Sequence, residues 1–355
     1  MRLRNCIGSL LLTLMLCSCN SWLDVDLINQ SEESDLFSTE RGFSEALAGV
    51  YCDIAASNMY GQTLSFGMLD IMSRIYDYSQ IPNKMKIFRD YDYENKDMKS
   101  YIYLLWSSFY ANIAALNNIL EWSEKNASVL SDERRNQVRG EALALRGLLH
   151  FDIYRLFATD VKLDPTARVL PYQTKFGVKT SPVYSTMDYL NLVIGDLEDA
   201  VKYLENDPIK EVKPYQLGNG DDENKDGADL YVARMNYYAT KALLARVYLS
   251  MGGDKIKDAR RLAEEVIDCG KFALVDYERS LNTDEANKDL LFSDEHIFSL
   301  RGQNVKTDAE GVHKQITGTD GNVQMASGYQ SILYLGDLED YRLNWYKSFY
   351  IIKYT

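Results

Sequence analysis

From Phe43 to Val266 the apolar residues recur at three- and four-residue steps, and that period leaves few folds open. A helix with one apolar stripe must bury it against another helix, so a run of them stacks side by side. Thr39-Glu40 reads as a cap and acidic first turn, leading into Phe43, Ala46, Leu47, Val50 and Tyr51 on one face. A second helix is expected from about Tyr101 to Trp122, striped by Leu105, Phe109, Ile113, Leu116 and Leu120. A third runs from Asp132 to Phe157 with Val138, Ala142, Leu145, Leu149, Ile153 and Leu156. A loop holding Pro165, Pro171 and Pro182 follows, because helix interiors reject proline. A fourth helix spans Met187 to Leu204, with Leu190, Ile194, Leu197 and Val201 inward.

The clearest pair is Tyr231–Met251 and Lys257–Gly270, joined by Gly252-Gly253-Asp254. Ala242, Ala245 and Ala259 let two helices approach, and Ala245, Tyr248, Ala259 and Ala263 resemble the small and aromatic positions of a tetratricopeptide hairpin. The third and fourth helices can form a similar hairpin with a long inserted loop. Beyond Phe272 the pattern changes. Phe272–Val275 and Ile297–Leu300 read as isolated strands among turns, and the one helix expected there is short, near Asp337–Tyr346. The fold class is mainly α: stacked tetratricopeptide-like hairpins forming an α-superhelix, with a loop-rich, short-strand C-terminal part.

The N-terminus carries Arg2 and Arg4, then an apolar run from Ile7 to Leu16. That run of about ten residues is half of what a bilayer needs and has the length of a signal-peptide core. Leu16-Cys17-Ser18-Cys19 resembles a lipobox, so residues 1–18 are read as a lipoprotein signal and Cys19 as the lipidated mature N-terminus. Several acyl chains anchor stably where one is marginal. The bland alternative is an ordinary signal cleaved near Ser18.

Basic residues number 39 against 52 acidic ones, a net charge of −13, which becomes −15 once Arg2 and Arg4 leave with the signal. An acidic surface repels phosphate groups, so neither nucleic acid nor anionic lipid headgroups are expected as partners of the chain as a whole. Cys52 and Cys269 lie among apolar residues at helical spacing. No spacing pattern supports a disulfide, so two buried free thiols are expected.

Several stretches together resemble SusD/RagB-type outer-membrane lipoproteins. They are Cys19-Asn20-Ser21-Trp22-Leu23-Asp24-Val25, Phe37-Ser38-Thr39 with Ala46-Leu47-Ala48-Gly49-Val50-Tyr51, Arg139 to Arg146 continuing to Phe151-Asp152-Ile153-Tyr154, Leu170-Pro171-Tyr172, Ala242 to Leu249, and Glu295-His296-Ile297-Phe298. The resemblance implies a SusD-like α-superhelix, with residues 19–230 and 231–355 as its N- and C-terminal regions within one unit. It implies a surface-exposed outer-membrane lipoprotein that captures glycans or another nutrient and serves a SusC-like TonB-dependent transporter. Members of that family continue past segments like Asp340-Tyr341-Arg342 and Ile352-Lys353-Tyr354, so the C-terminal region is expected to be incomplete.

Enzymatic motifs are missing: no HExxH, GxSxG, GxxxxGK[ST] or GxGxxG occurs, and the three histidines are His150, His296 and His313. His150, beside the stripe of the third helix, reads as structural. The chain is therefore read as a non-enzyme, with a protein-holding lipoprotein as the alternative and a surface glycosidase behind it. Asp222, Asn224 and Asp226 with Gly227 have the alternation of a calcium loop, but Ala233 stands where a bidentate Glu belongs; a solvated acidic turn is the preferred reading, and no cofactor is expected beyond such a calcium ion. Aromatics give the remaining clue, with 26 Tyr and 4 Trp. Sugar rings stack on aromatic faces while Asp and Arg bind hydroxyls, and the segment from Asp70 to Tyr93 concentrates both kinds of group. Asp70, Arg74, Tyr76, Asp77, Tyr78, Tyr91 and Tyr93 are the candidate ligand contacts, in a segment expected to be loop-rich. The bland reading packs these tyrosines onto the helices. Trp106, on the apolar face of the second helix, is expected in the core.

Overall fold

A computed structural model describes residues 33–74, 83–179, 181–211, 231–274, 278 and 293–317. Its helices are α1 (Glu40–Ile54), α2 (Met68–Ser73), α3 (Asn83–Arg89), α4 (Lys96–Lys125), α5 (Asp132–Phe157), α6 (Thr186–Tyr203), α7 (Tyr237–Met251), α8 (Lys255–Asp268) and α9 (Val305–Thr317). Strands β1 (Arg168–Pro171) and β2 (Val183–Ser185) pair antiparallel between α5 and α6. Among the described residues no helix is long and apolar enough to cross a membrane. Cys19, Tyr76, Asp77, Tyr78, Asp222, Asn224, Asp226 and the Asp337–Tyr346 helix lie outside the described residues.

Side-chain caps fix where the helices start. The Thr39, Ser131 and Ser185 side chains accept from the backbone N–H of Gly42, Arg134 and Asp188. Asn95 caps α4 in the same way, and Met98 extends the buried stripe one turn upstream, so α4 begins five residues before the expected Tyr101. Asn236 caps α7, which therefore starts at Tyr237 rather than Tyr231. Between α7 and α8, Gly252 and Gly253 take φ of +72° and +57°, a left-handed turn that side chains resist.

Neighbours in sequence are neighbours in space: α4 packs on α5, α5 on α6 and α7 on α8, while α1 leans on α4 and α7 on α6. The fifth helix is the axis of the molecule. From Gly140 to Tyr154 every residue is buried, on all sides of the helix rather than along one stripe. Small residues let α6 come close. A Cβ on Gly140 would lie 2.5 Å from Leu204 Cγ, and one on Gly147 would lie 2.7 Å from Leu197 Cδ2. Both pairs are seven residues apart and run in opposite senses, which is the antiparallel seam of the hairpin. Gly147→Val is expected to cost about 1–3 kcal/mol through overpacking, read as a lowered urea midpoint with unchanged slope.

Two polar networks are buried in this core. Arg146 on α5 donates Nε and Nη2 to the two oxygens of Asp196 on α6, at 2.7 and 2.6 Å, and Nη1 to Asn117 on α4 at 2.6 Å. The Tyr172 hydroxyl donates to the same Asp196 at 2.6 Å. Beside it, Tyr172 stacks at 3.8 Å on the ring of His150, whose Nε2 faces the Gln173 carbonyl and whose Nδ1 lies 2.7 Å from the Tyr189 hydroxyl. His150 is thus a satisfied core histidine, and burial lowers its pKa to about 3. The second network joins distant parts of the chain. Arg234 grips Asp207 (Nη2 to Oδ1, 2.5 Å) and reaches Glu141 on α5 at 3.3 Å; the Tyr51 hydroxyl donates to Glu141 and accepts from the Met235 N–H.

Five expectations need correction. The stretch from Asp70 to Tyr93 contains α2 and α3 rather than loop alone. Phe272–Leu274 and Ile297–Leu300 are not strands: they make isolated bonds, Ala273 N–H to Asp294 O and Ser299 N–H to Val232 O, and Ile297, Phe298 and Leu300 bury themselves on the helices instead. Helix α9 was not expected, because only its Ala309 and Val312 are buried among the described side chains and its remaining residues are polar enough to read as a turn. Cys52 is exposed, two positions from the inward Val50 and Ile54 and hence on the outer face of α1, while Cys269 is half-buried; both are free thiols. Trp106 is partly rather than fully buried, edge-on to Phe157 at 5.2 Å.

Candidate functional site

Helix α2 ends at Ser73, and Arg74, its C-cap, turns into the left-handed region with φ +56°. That turn carries the guanidinium back across α3. Its Nη2 and Nε donate to the Arg89 carbonyl at 2.9 and 3.3 Å, which caps the C-terminal end of α3. The same guanidinium lies 4.8 Å from the centre of the Tyr91 ring. Tyr91 is itself left-handed, with φ +53°, and its hydroxyl returns a hydrogen bond to the Met72 carbonyl. Arg74 and Tyr91 are the two non-glycine residues of positive φ among the described residues, and they lock onto each other. Such conformations cost of order 1 kcal/mol or more each and cluster at ligand clamps.

The lock presents aromatic faces to solvent. The Tyr93 N–H is held by the Tyr91 carbonyl at 2.8 Å, and its ring is 50 % exposed. On the first turns of α4, Tyr101 lies edge-on to Phe88 at 5.0 Å, while Tyr103, two positions on and 73 % exposed, projects from another side of the helix. Arg89 and Asp90 form a paired, exposed couple beside them, in which the guanidinium holds the Asp90 carboxyl below its usual range. Asp70 sits one turn before Arg74 on α2, and partial burial pushes its carboxyl up to about 6.

Of the seven sequence-predicted contacts, Arg74 and Tyr91 touch, Tyr93 adjoins them and Asp70 shares the helix that positions Arg74. Tyr76, Asp77 and Tyr78 fall outside the described residues. Tyr91, Tyr93, Tyr101 and Tyr103 stay exposed, whereas Tyr172, Tyr189, Tyr237 and Tyr248 are buried. Sequence reasoning missed Tyr101 and Tyr103. The available signal was that Tyr103 falls off the stripe of Leu105, Phe109 and Ile113. The arrangement can stack on a flat apolar face and hydrogen-bond to hydroxyls around it. Among the described residues no three His, Cys, Asp or Glu side chains gather into a metal cluster.

The fold has solved relatives. It resembles a putative sugar binding protein from Bacteroides vulgatus (18% identity, TM-score 0.59, 84% of this chain, 62% of that one). It also resembles SusD superfamily proteins from Bacteroides fragilis (21% identity, TM-score 0.54, 75% and 56%) and Bacteroides vulgatus (21% identity, TM-score 0.50, 68% and 50%). The chain therefore spans roughly half to three-fifths of the length of these structures, and identities at this level establish the fold alone. None of the curated proteins matches it. A family profile described as "Starch-binding associating with outer membrane" matches residues 21–216. That match takes in α1 through α6, the shelf and the Arg146 network, more than half of the sequence, so the chain belongs to the SusD-like family.

Proposed function

We propose that this chain binds a glycan on the shelf formed by Tyr91, Tyr93 and Tyr101, as part of a surface lipoprotein anchored in the outer membrane through Cys19. The bound sugar is handed to a SusC-like TonB-dependent transporter, and no bond is cleaved. The observation that carries the reading is the Arg74–Tyr91 lock, which spends two strained backbone conformations on holding exposed rings in place. A ring that stayed mobile would lose entropy on meeting a sugar, and the lock removes that cost in advance. The family description supports a polysaccharide ligand.

Calorimetry across a panel of soluble oligosaccharides and polysaccharides tests the reading. One glycan class is expected to bind, and Tyr91→Ala is expected to weaken it about tenfold or more, as loss of a central aromatic contact does. No binding across the panel by a well-folded preparation counts against the proposal, and so does turnover of the bound glycan.

Asp70 adds a pH signature. As a carboxylate it accepts from sugar hydroxyls on both oxygens, whereas its protonated form gives up part of that capacity. Because its carboxyl titrates near 6, affinity is expected to hold above that pH and fall as pH drops through it. Asp70→Asn is expected to flatten the profile. A wild-type affinity that is flat from neutral to mildly acid pH removes Asp70 from the site.

A further inference from the structure

The loop between β1 and β2 displays Lys175-Phe176-Gly177-Val178-Lys179 at the surface, with Val178 104% and Phe176 43% exposed. Its base is built with unusual care. The Gln173 side chain donates Nε2 to the carbonyls of both Lys175 and Lys179, at 2.8 and 3.1 Å, closing the loop below its tip. Ser181 Oγ donates to the Gln173 Oε1 at 2.6 Å, which orients that amide. Asn117, buried on α4, donates to the Gln173 carbonyl at 3.1 Å and reaches the Lys175 carbonyl. Gly177 takes φ +125° at the apex, with nothing near it.

The hydrogen bonds hold the backbone at the base of the loop, and Phe176 and Val178 stand exposed side by side above it. Five residues make up the tip, against the roughly 20–30 a side that a stable protein interface uses. It is also basic on both sides in a chain of net charge −13. Two apolar side chains flanked in sequence by Lys175 and Lys179 suit an interface with hydrocarbon beneath and anionic headgroups around it. We infer that the 175–179 tip dips into the headgroup region of a lipid bilayer and holds one face of the bundle against it. The inference goes beyond the glycan reading and stands or falls apart from it.

The test uses the full chain with Cys6, Cys17, Cys19, Cys52 and Cys269 all replaced by Ser, which also removes the lipid site, labelled with an environment-sensitive dye through Val178→Cys; a parallel preparation carries the dye through Lys257→Cys on exposed α8, and single-site labelling is confirmed by mass. Each is mixed with vesicles of phosphatidylcholine, with or without anionic phosphatidylglycerol. The dye at 178 is expected to shift to the blue and to be quenched by brominated acyl chains, while the dye at 257 is not. Lys175→Glu with Lys179→Glu is expected to lower the quenched fraction on anionic vesicles at least about tenfold, and Phe176→Ser to abolish the shift. Aqueous emission from position 178 on both kinds of vesicle overturns the inference. So does shielding that arises only when a solubilised membrane-protein fraction is added, which makes the tip a protein contact.

Discussion

Arg146→Ala is expected to destabilise the fold by about 3–5 kcal/mol, the usual cost of removing one partner from a buried ion pair. The loss comes mainly from what stays behind. Asp196 keeps its charge in a site where its side chain is almost enclosed, retaining only the Tyr172 hydroxyl as a donor, and Asn117 loses its guanidinium. The attraction in the intact pair is a smaller matter, because desolvating both ions offsets much of it. Replacing both charges, as in Arg146→Met with Asp196→Leu, is therefore expected to recover a large part of the loss. Urea titrations of the single and double variants decide the point. A single variant within about 1 kcal/mol of wild type would show that water reaches Asp196 and that the pair is not buried in the sense argued.

His150 is expected to make the fold acid-labile over a defined window. Its ordinary value is 6.5 and burial lowers it to about 3, so the folded protein holds it neutral. Its contribution is complete above pH 6.5 and is lost as pH falls from 6.5 toward 3, reaching roughly 4–5 kcal/mol at the acid end. Asp70 works in the opposite sense. Its carboxyl is raised from 3.8 to about 6, so its contribution is complete below 3.8 and is lost as pH rises through 6. Buried Glu141, also raised by desolvation, acts in the same direction as Asp70. The total slope mixes these, and the difference between wild type and His150→Gln isolates the histidine. That amide can still donate to the Gln173 carbonyl and accept from Tyr189, and it does not titrate. Below pH 6.5 wild type is expected to lose ground to the variant by up to about 1.4 kcal/mol per pH unit. Parallel stability curves for the two proteins would mean that His150 is already charged in the fold.

The long helices were legible in the sequence because each signals itself locally. Thr39, Ser131 and Ser185 announce a start, and a stripe such as Leu105, Phe109, Ile113 and Leu116 announces a face. Helices α2 and α3 escaped because six or seven residues are too few to establish a period. The run Ile297-Phe298-Ser299-Leu300 carried a strand signal, yet its apolar groups were satisfied by packing on helices without a partner strand. At the shelf, residue types were readable and geometry was not. Nothing around Arg74 or Tyr91 marks a left-handed backbone, since neither is Gly or Asn and the two that touch stand 17 positions apart in sequence. The Arg146–Asp196 pair, 50 residues apart, was hidden for a related reason: a charged residue within a helical pattern reads as surface until its partner is placed.

The pairing of each helix with its neighbour in sequence bears on how the chain acquires its shape during synthesis. A hairpin such as α4–α5 can close as soon as its second helix leaves the ribosome, with little loop to organise, and α6 can then zip along the Gly140–Gly147 groove. The grip of Arg234 on Glu141 and Asp207 has to wait, because one of its partners lies 93 residues upstream. It can form only on a bundle already in register. The same stretch brings the Tyr237 N–H to Asp207 and the Met235 N–H to Tyr51, so cation and cover arrive together. The ion pair therefore ties the entry to α7 to α5 and to the residues after α6, and closes last among these contacts.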